Sequence, residues 1–286
     1  MSKKNINSVT VFSPGPRIEE VNKYIEKYKN ELIVIKYGGN VFIDRNIFNN
    51  FIADISLLNK LGLSIVVVHG GGPRIKRELD KSHIQSNFIR GLRITDEKII
   101  DIVESVLIEF NDDIVSSLKK MGSKAISINT KKNNIIEVTP EAEELGFVGT
   151  PDKINIEILK DIIKKDIIPI ISPLGIGKNN RTYNINGDIA AGAIAKSLKS
   201  RRLLLMTNVK GVLDKEKKLV EEISSSEILE MVKNKTITEG MIPKINTCLD
   251  AVNNGVTAVG IIDGREKHSI LFEIFSDKGS GTLIRK

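Results

Sequence analysis

The chain has 286 residues, 41% of them hydrophobic and 28% charged, with 43 Lys+Arg against 36 Asp+Glu for a formal net charge of +7. That balance suits a globular fold with a sizeable core. Aromatics at 5% do not interleave with the scattered basic pairs Lys119–Lys120, Lys131–Lys132 and Arg201–Arg202, which argues against a nucleic-acid stacking platform.

Residues 1–16 are polar and end in S-P-G-P, a loose arm and turn with no apolar secretory core behind the basic start. Over 17–29, Ile18, Val21, Ile25 and Tyr28 fall three or four apart with Tyr24 beside them, predicting a short amphipathic helix. Because it precedes the first strand, its stripe packs either on its own lobe or on another subunit. A strand is expected over 32–35, running into Lys36-Tyr37-Gly38-Gly39-Asn40, then a helix over 44–61. Next comes L-S-I-V-V-V-H-G-G-G-P-R-I-K from Leu63, an apolar strand buried on both faces that stops at three glycines and opens a helix ending near Asp80. Residues 82–93 read as a loop or small hairpin. Thr95 is the expected cap of a helix reaching Met121, with a break near Asn111.

Strands are expected over 124–128 and 135–138, a helix over 154–165 and a buried strand over 167–172. The glycine-rich connection 175–180 reads as a boundary between an N-terminal lobe (31–174) and a C-terminal lobe (175–286). A helix over 189–198, a strand over 203–207, helices over 225–233 and 241–253, and a strand over 256–262 complete the pattern. Repeated βα alternation argues for an α/β chain, a three-layer α/β/α sandwich on an open, mostly parallel sheet. The single cysteine, Cys248, excludes an intrachain disulfide framework and sits in an apolar helical pattern. His69, His83 and His268 share no metal-ligand spacing, so no metal site is expected. No apolar run approaches a membrane span, and a cytoplasmic protein without membrane or nucleic-acid partners is expected.

Neither a P-loop nor a strand-borne G-x-G-x-x-G is present. Paired glycines instead close two strands, at Gly38–Gly39 and Gly70–Gly72. In a parallel sheet both ends lie on one edge, where bare backbone N–H groups can meet anionic oxygen. Lys36 precedes the first turn, placed either to neutralise phosphate or to snorkel from the sheet edge. Asn184, Asn186 and Asp188 crowd a helix entry in Y-N-I-N-G-D-I-A-A-G-A, and E-G-M-I-P-K from Glu239 brings a second lysine, Lys244.

In this order the elements resemble the amino acid kinase family and, within it, the acetylglutamate kinases. The motifs are I-K-Y-G-G-N (35–40), V-H-G-G-G-P (68–73), G-L-R-I-T-D (91–96), L-G-F-V-G (145–149), N-I-N-G-D (184–188) and E-G-M-I-P-K (239–244), with the ending I-I-D-G-R-E-K-H-S-I-L-F-E-I-F-S-D-K-G-S-G-T. The resemblance implies transfer of the γ-phosphoryl group of ATP to the side-chain carboxylate of N-acetyl-L-glutamate, on the arginine route, with Mg²⁺ held mainly by the ATP phosphates. By resemblance, Lys36 and Lys244 stabilise the transferring group and Asp188 organises them. Gly39, Gly71 and Gly72 offer backbone N–H groups, Arg93 and Asn184 bind the acceptor's α-carboxylate, and the C-terminal lobe holds the nucleotide.

The family's arginine-inhibited members carry an N-terminal helix that joins dimers into a hexamer. Residues 17–30 match it, and Tyr24, His268 and Glu273 match positions near their arginine pocket, so L-arginine inhibition of a homo-hexamer, a trimer of dimers, is expected. A sibling kinase acting on carrier-bound aminoadipate or glutamate, and a non-catalytic regulatory homologue, are the alternatives. The chain departs from the family pattern at Gly187 (usually alanine), at Asn208 (often aspartate) and over 127–134, where a glycine-rich loop is usual.

Overall fold

The computed structural model describes residues 18–38, 44–237 and 240–286. The expected arm and Gly39 lie outside the described residues. The chain runs α1 (Ile18–Tyr28), β1 (Leu32–Tyr37), α2 (Arg45–Lys60), β2 (Ser64–His69), α3 (Gly72–Lys81), β3 (Phe88–Ile89), β4 (Leu92–Arg93), α4 (Glu97–Lys120), β5 (Ala125–Ile128) and β6 (Ile136–Pro140). It continues through β7 (Gly149–Ile154), α5 (Ile156–Lys164), β8 (Ile168–Ile171), β9 (Leu174–Gly177), β10 (Thr182–Asn184), α6 (Gly187–Ser197) and β11 (Arg202–Thr207). The last elements are β12 (Glu222–Ser224), α7 (Ser225–Lys233), α8 (Ile242–Asn253), β13 (Ala258–Asp263), α9 (Ser269–Phe275) and β14 (Gly281–Arg285).

An eight-stranded sheet has the order β12-β14-β13-β11-β1-β2-β8-β5, and all its pairings are parallel except β13 with β14. Strand alternation divides the core in two. Val34, Val66, Leu203 and Leu205 pack with Ile194 of α6 and Leu249 of α8. Ile33, Ile35, Ile65, Val67 and Leu204 face the opposite side with Phe51 of α2, Phe110 of α4 and Ile270 of α9. Apolar layers on both faces make the expected α/β/α sandwich. A smaller sheet, β10-β9-β6-β7, stands beside it.

Three expectations change. Residues 175–177 belong to β9 rather than to a connecting loop; a Cβ at Gly175 would lie 2.4 Å from Val138 Cγ1, so this glycine allows close strand packing. The helix α4 is continuous through Asn111, whose fully buried amide hydrogen-bonds across the interior instead of breaking the helix. The cap of α4 is Asp96, which accepts from the N–H groups of Lys98 and Ile99, while Thr95 forms a bridge to Gly146. Within the chain α1 packs against elements of the C-terminal part: Tyr24 and Tyr28 are buried in the α9 side of the core, and Tyr28 Oη accepts from Arg202 Nε at 2.9 Å.

The capping assignment has a direct test. Asp96→Ala should lower unfolding stability by about 1 kcal/mol through loss of two capped N–H groups, measured by denaturant titration. Equal stability in this variant would remove Asp96 as the cap.

Candidate active site

Alternation along β1 and β2 decides which side chains meet. Lys36 shares parity with Val34, so it emerges on the α6 face, in register with Val68 of β2 and Leu205 of β11. The chain departs in opposite directions on the two sides of β1, which makes its carboxyl end a topological switch point, the usual ligand position in such sheets. There α6 begins. Asn186 caps it by accepting from the N–H groups of Asp188 and Ile189, which fixes Asp188 in the first turn. Lys36 Nζ lies 2.9 Å from Asp188 Oδ1 as an ion pair, and Lys244 Nζ donates to Oδ2 at 2.5 Å.

All three side chains are at most 16% exposed. Burial alone would hold the Asp188 carboxyl neutral, but the charges of Lys36 and Lys244 outweigh it and keep its pKa well below the usual carboxylate range. Burial lowers the Lys36 pKa; Asp188 opposes that fall and Lys244 adds to it. Removing the carboxylate would leave two buried like charges, a loss of roughly 3–5 kcal/mol by analogy with other broken buried pairs. A Cβ at Gly187 would sit 3.2 Å from Lys36 Cε, so the family's usual alanine would crowd that stem here.

Lys36, Gly71, Gly72, Arg93, Asn184 and Asp188 line one cavity of about 940 Å³. Lys244 reaches it through Asp188. Arg93 is largely buried; its guanidinium lies 4.7 Å from the Phe88 ring centroid and donates to Ser86 Oγ. Burial lowers its pKa, but guanidinium remains charged. Thr95 joins three of the motif stretches. Its hydroxyl donates to Arg93 O at 2.8 Å and receives a long contact from Asn184 Nδ2 at 3.4 Å. Its backbone N–H bonds Leu145 O at 3.0 Å, and its carbonyl accepts from Phe147 N at 2.7 Å.

A second cavity of about 630 Å³ opens beyond β11, bordered by Val209, Gly211, Leu213, Lys215, Lys217 and Met241. A third, of about 150 Å³, brings Tyr24 and Glu273 together with Lys27, Arg202 and Asp277. Tyr24 Oη donates to Asp277 Oδ1 at 2.7 Å; burial and then this bond push the Tyr24 pKa up to about 12. His268 stands apart from that cleft. Its Nδ1 lies 2.7 Å from Asp54 Oδ1, in a crevice beside α2. Among the described residues no group of three or more His, Cys, Asp or Glu side chains is arranged to hold a metal, and no helix is long and apolar enough to cross a membrane.

Ser86 and Phe88, which support Arg93, belong to no motif of the sequence, and His69, though part of V-H-G-G-G-P, has no role that spacing or resemblance assigns. His69 is fully buried on the α4 face, edge-on to Phe110 with ring centroids 5.0 Å apart. Its signal was Asn111, a polar residue on an apolar helix face.

A model described as the amino acid kinase family matches residues 31–263. An acetylglutamate kinase of Pelagibacter ubique (strain HTCC1062) is 55% identical over 272 residues, covering 95% of this chain and 94% of that protein. One from Methylobacterium nodulans is 44% identical over 92% of this chain and 91% of its own length. Among solved structures, the N-acetylglutamate synthase from Neisseria gonorrhoeae complexed with coenzyme A and N-acetyl-glutamate superposes with a TM-score of 0.85 at 24% identity. It is matched over 94% of this chain, which spans 62% of that one. Carbamate kinase from Giardia lamblia superposes with a TM-score of 0.67 at 17% identity, over 90% of this chain and 98% of that one. At these identities both bear on the fold alone.

Burial, the largest effect, lowers the His69 pKa to about 4, and the Arg74 charge adds to it. Below about pH 6.5 the unfolded chain takes up a proton that the native chain refuses, so native stability falls as pH drops from about 6.5 to about 4. The stability difference between wild type and His69→Asn should shrink by roughly 3 kcal/mol across that window, read from denaturant titrations at each pH. A pH-independent difference would show that His69 is not held neutral.

Proposed function

The chain belongs to the amino acid kinase family, and we propose that it is an acetylglutamate kinase, transferring the γ-phosphoryl group of ATP to the side-chain carboxylate of N-acetyl-L-glutamate. The observation that carries the reading is one buried carboxylate, Asp188, holding two ammonium groups at a cavity that Arg93 and Asn184 also line. A carboxylate oxygen attacks phosphorus, a new O–P bond forms, and the bond to the β–γ bridging oxygen breaks as ADP leaves. The attacking group is already ionised near neutrality, so no side chain has to remove a proton. What remains is alignment and charge neutralisation.

In this reading Lys36 and Lys244 face the oxygens of the moving phosphoryl group, and Asp188 keeps both ammonium groups charged and separated. The N–H groups of Gly71 and Gly72, and of Gly39, meet phosphoryl and acceptor oxygens. Arg93 binds the α-carboxylate through its planar fork, with Asn184 beside it. ATP occupies the cavity beyond β11, where Lys215 and Lys217 suit its phosphates and Val209 and Leu213 its base. Asp188 has both oxygens facing lysines, so a Mg²⁺ ion would be held mainly by the ATP phosphates, where it would neutralise part of their charge. Such a biosynthetic enzyme belongs in the cytoplasm, where its one cysteine stays reduced.

Feedback by L-arginine and assembly as a hexamer through α1 extend the proposal. The cleft around Tyr24 and Glu273 offers acidic groups for a guanidinium and cations, Lys27 and Arg202, for a carboxylate. His268 would act through α9, which it precedes, rather than from the cleft lining.

Hydroxylamine trapping of acyl phosphate across a panel of carboxylates is expected to give signal with N-acetylglutamate. Lys36→Ala and Asp188→Ala should reduce it by at least about a hundredfold. Activity confined to carrier-bound acceptors would overturn the substrate assignment. For regulation, arginine should inhibit a hexamer seen by light scattering, and Glu273→Gln should raise the half-inhibiting concentration about tenfold, the cost of one weakened charged contact. An arginine-insensitive dimer would end that part of the proposal.

A further inference from the structure

Beneath the Gly70–Gly72 turn, on the sheet face opposite Lys36, lies a buried polar network that the phosphoryl-transfer reading does not use. His69 Nδ1 lies 2.9 Å from Gly70 O. A carbonyl oxygen can only accept, so Nδ1 carries the proton and Nε2 is the acceptor. Nε2 faces two donors, Asn111 Nδ2 at 3.1 Å and Ser172 Oγ at 3.2 Å. Asn111 is oriented in turn: its amide donates to Ile170 O at 2.9 Å, and its Oδ1 accepts from Ser127 Oγ at 2.5 Å. Asn129 Nδ2 donates to that serine at 3.0 Å. Each link fixes the next, so the ring has one tautomer and one orientation.

The consequence falls on the turn. Gly70 N donates to Tyr37 O at 2.8 Å, which ties the residue to the end of β1. In a trans peptide the carbonyl of one residue and the N–H of the next share a plane and point in opposite directions. Holding Gly70 O toward His69, on the α4 face, therefore sends the Gly71 N–H the other way, toward the cavity that Gly71 lines. Glycines on both sides make a flip of this peptide inexpensive unless something latches it.

We propose that His69, protonated on Nδ1 and anchored through Nε2 by Asn111 and Ser172, is the positioning residue that aims the Gly71 N–H group at a reacting oxygen. It touches neither substrate. The inference rests on the acetylglutamate kinase reading, since it assigns this N–H group an acceptor or phosphoryl oxygen.

Two isosteres separate the roles of the ring nitrogens. Asparagine places an amide N–H where Nδ1 stood; glutamine places one near Nε2 and leaves Gly70 O without its donor. Each variant is compared with wild type by thermal melting and by steady-state kinetics with N-acetylglutamate and ATP. His69→Asn should keep kcat and both KM values within about threefold, whereas His69→Gln should lose on the order of a hundredfold in kcat/KM for the carboxylate, as when an aligned donor is lost. The KM for ATP should move less than about twofold in both, because the nucleotide cavity lies beyond β11. Equal kinetics in the two variants would overturn the proposal. So would a change confined to the melting temperature, the mark of a purely structural role. Absence of turnover with N-acetylglutamate in wild type would instead overturn the functional reading on which the inference stands.

Discussion

The Asp188 carboxylate takes two ammonium groups at once, and that requirement constrains three elements that are far apart in the chain. Lys36 must come off β1 on the α6 side, which the strand's alternation ensures. Asp188 must sit in the first turn of α6, where the Asn186 cap and the helix's own N-terminal field favour an ionised acid. Lys244 must approach from α8, and α6 and α8 lie close enough because α6 is built of small residues. A Cβ at Gly192 would meet Thr247 Cγ2 at 2.9 Å, so even an alanine there would press on α8. An arriving phosphoryl group then meets positive charge that is already desolvated and held apart, where electrostatic contacts are stronger than in water.

The acceptor end of the cavity depends on a different interaction, the zipper around Thr95. The stretches G-L-R-I-T-D, L-G-F-V-G and N-I-N-G-D are separated by tens of residues, yet all three bond one threonine through its amide, carbonyl or hydroxyl. Their joint presence in the sequence therefore has a physical origin. Any one of them alone would leave buried polar groups of the others unpaired, which costs more than a hydrogen bond gains.

Much of this was legible in the sequence where a single periodicity or residue type decides the outcome. Unbroken β-branched runs gave the central strands, and paired glycines after them gave the ligand edge. Lys36, Asp188 and Lys244 come from β1, α6 and α8 and meet as two ion pairs. Legibility failed where tertiary contacts override local preference. Gly175 and Gly177 looked like a loop, but their missing side chains admit Val138 and Tyr183 against a strand. Thr95 looked like a cap, but a better acceptor followed it by one residue. Asn111 looked like a helix break because its partners come from β2, β5 and the residues around β8, none of them near it in sequence.

The Asn111 case also explains why a site without a base still has a histidine beneath it. A carboxylate acceptor supplies its own charge, so a titrating imidazole within reach of the phosphoryl group would add only a competing cation or nucleophile. Strand parity puts His69 on the face away from Lys36, and its Nε2 lone pair is already engaged by the Asn111 amide, with Ser172 Oγ beside it. The ring is thus confined to holding one peptide plane. The sheet separates the two tasks: permanent positive charge on the α6 face, and a neutral, fully bonded anchor on the α4 face for the glycine turn that lies between them.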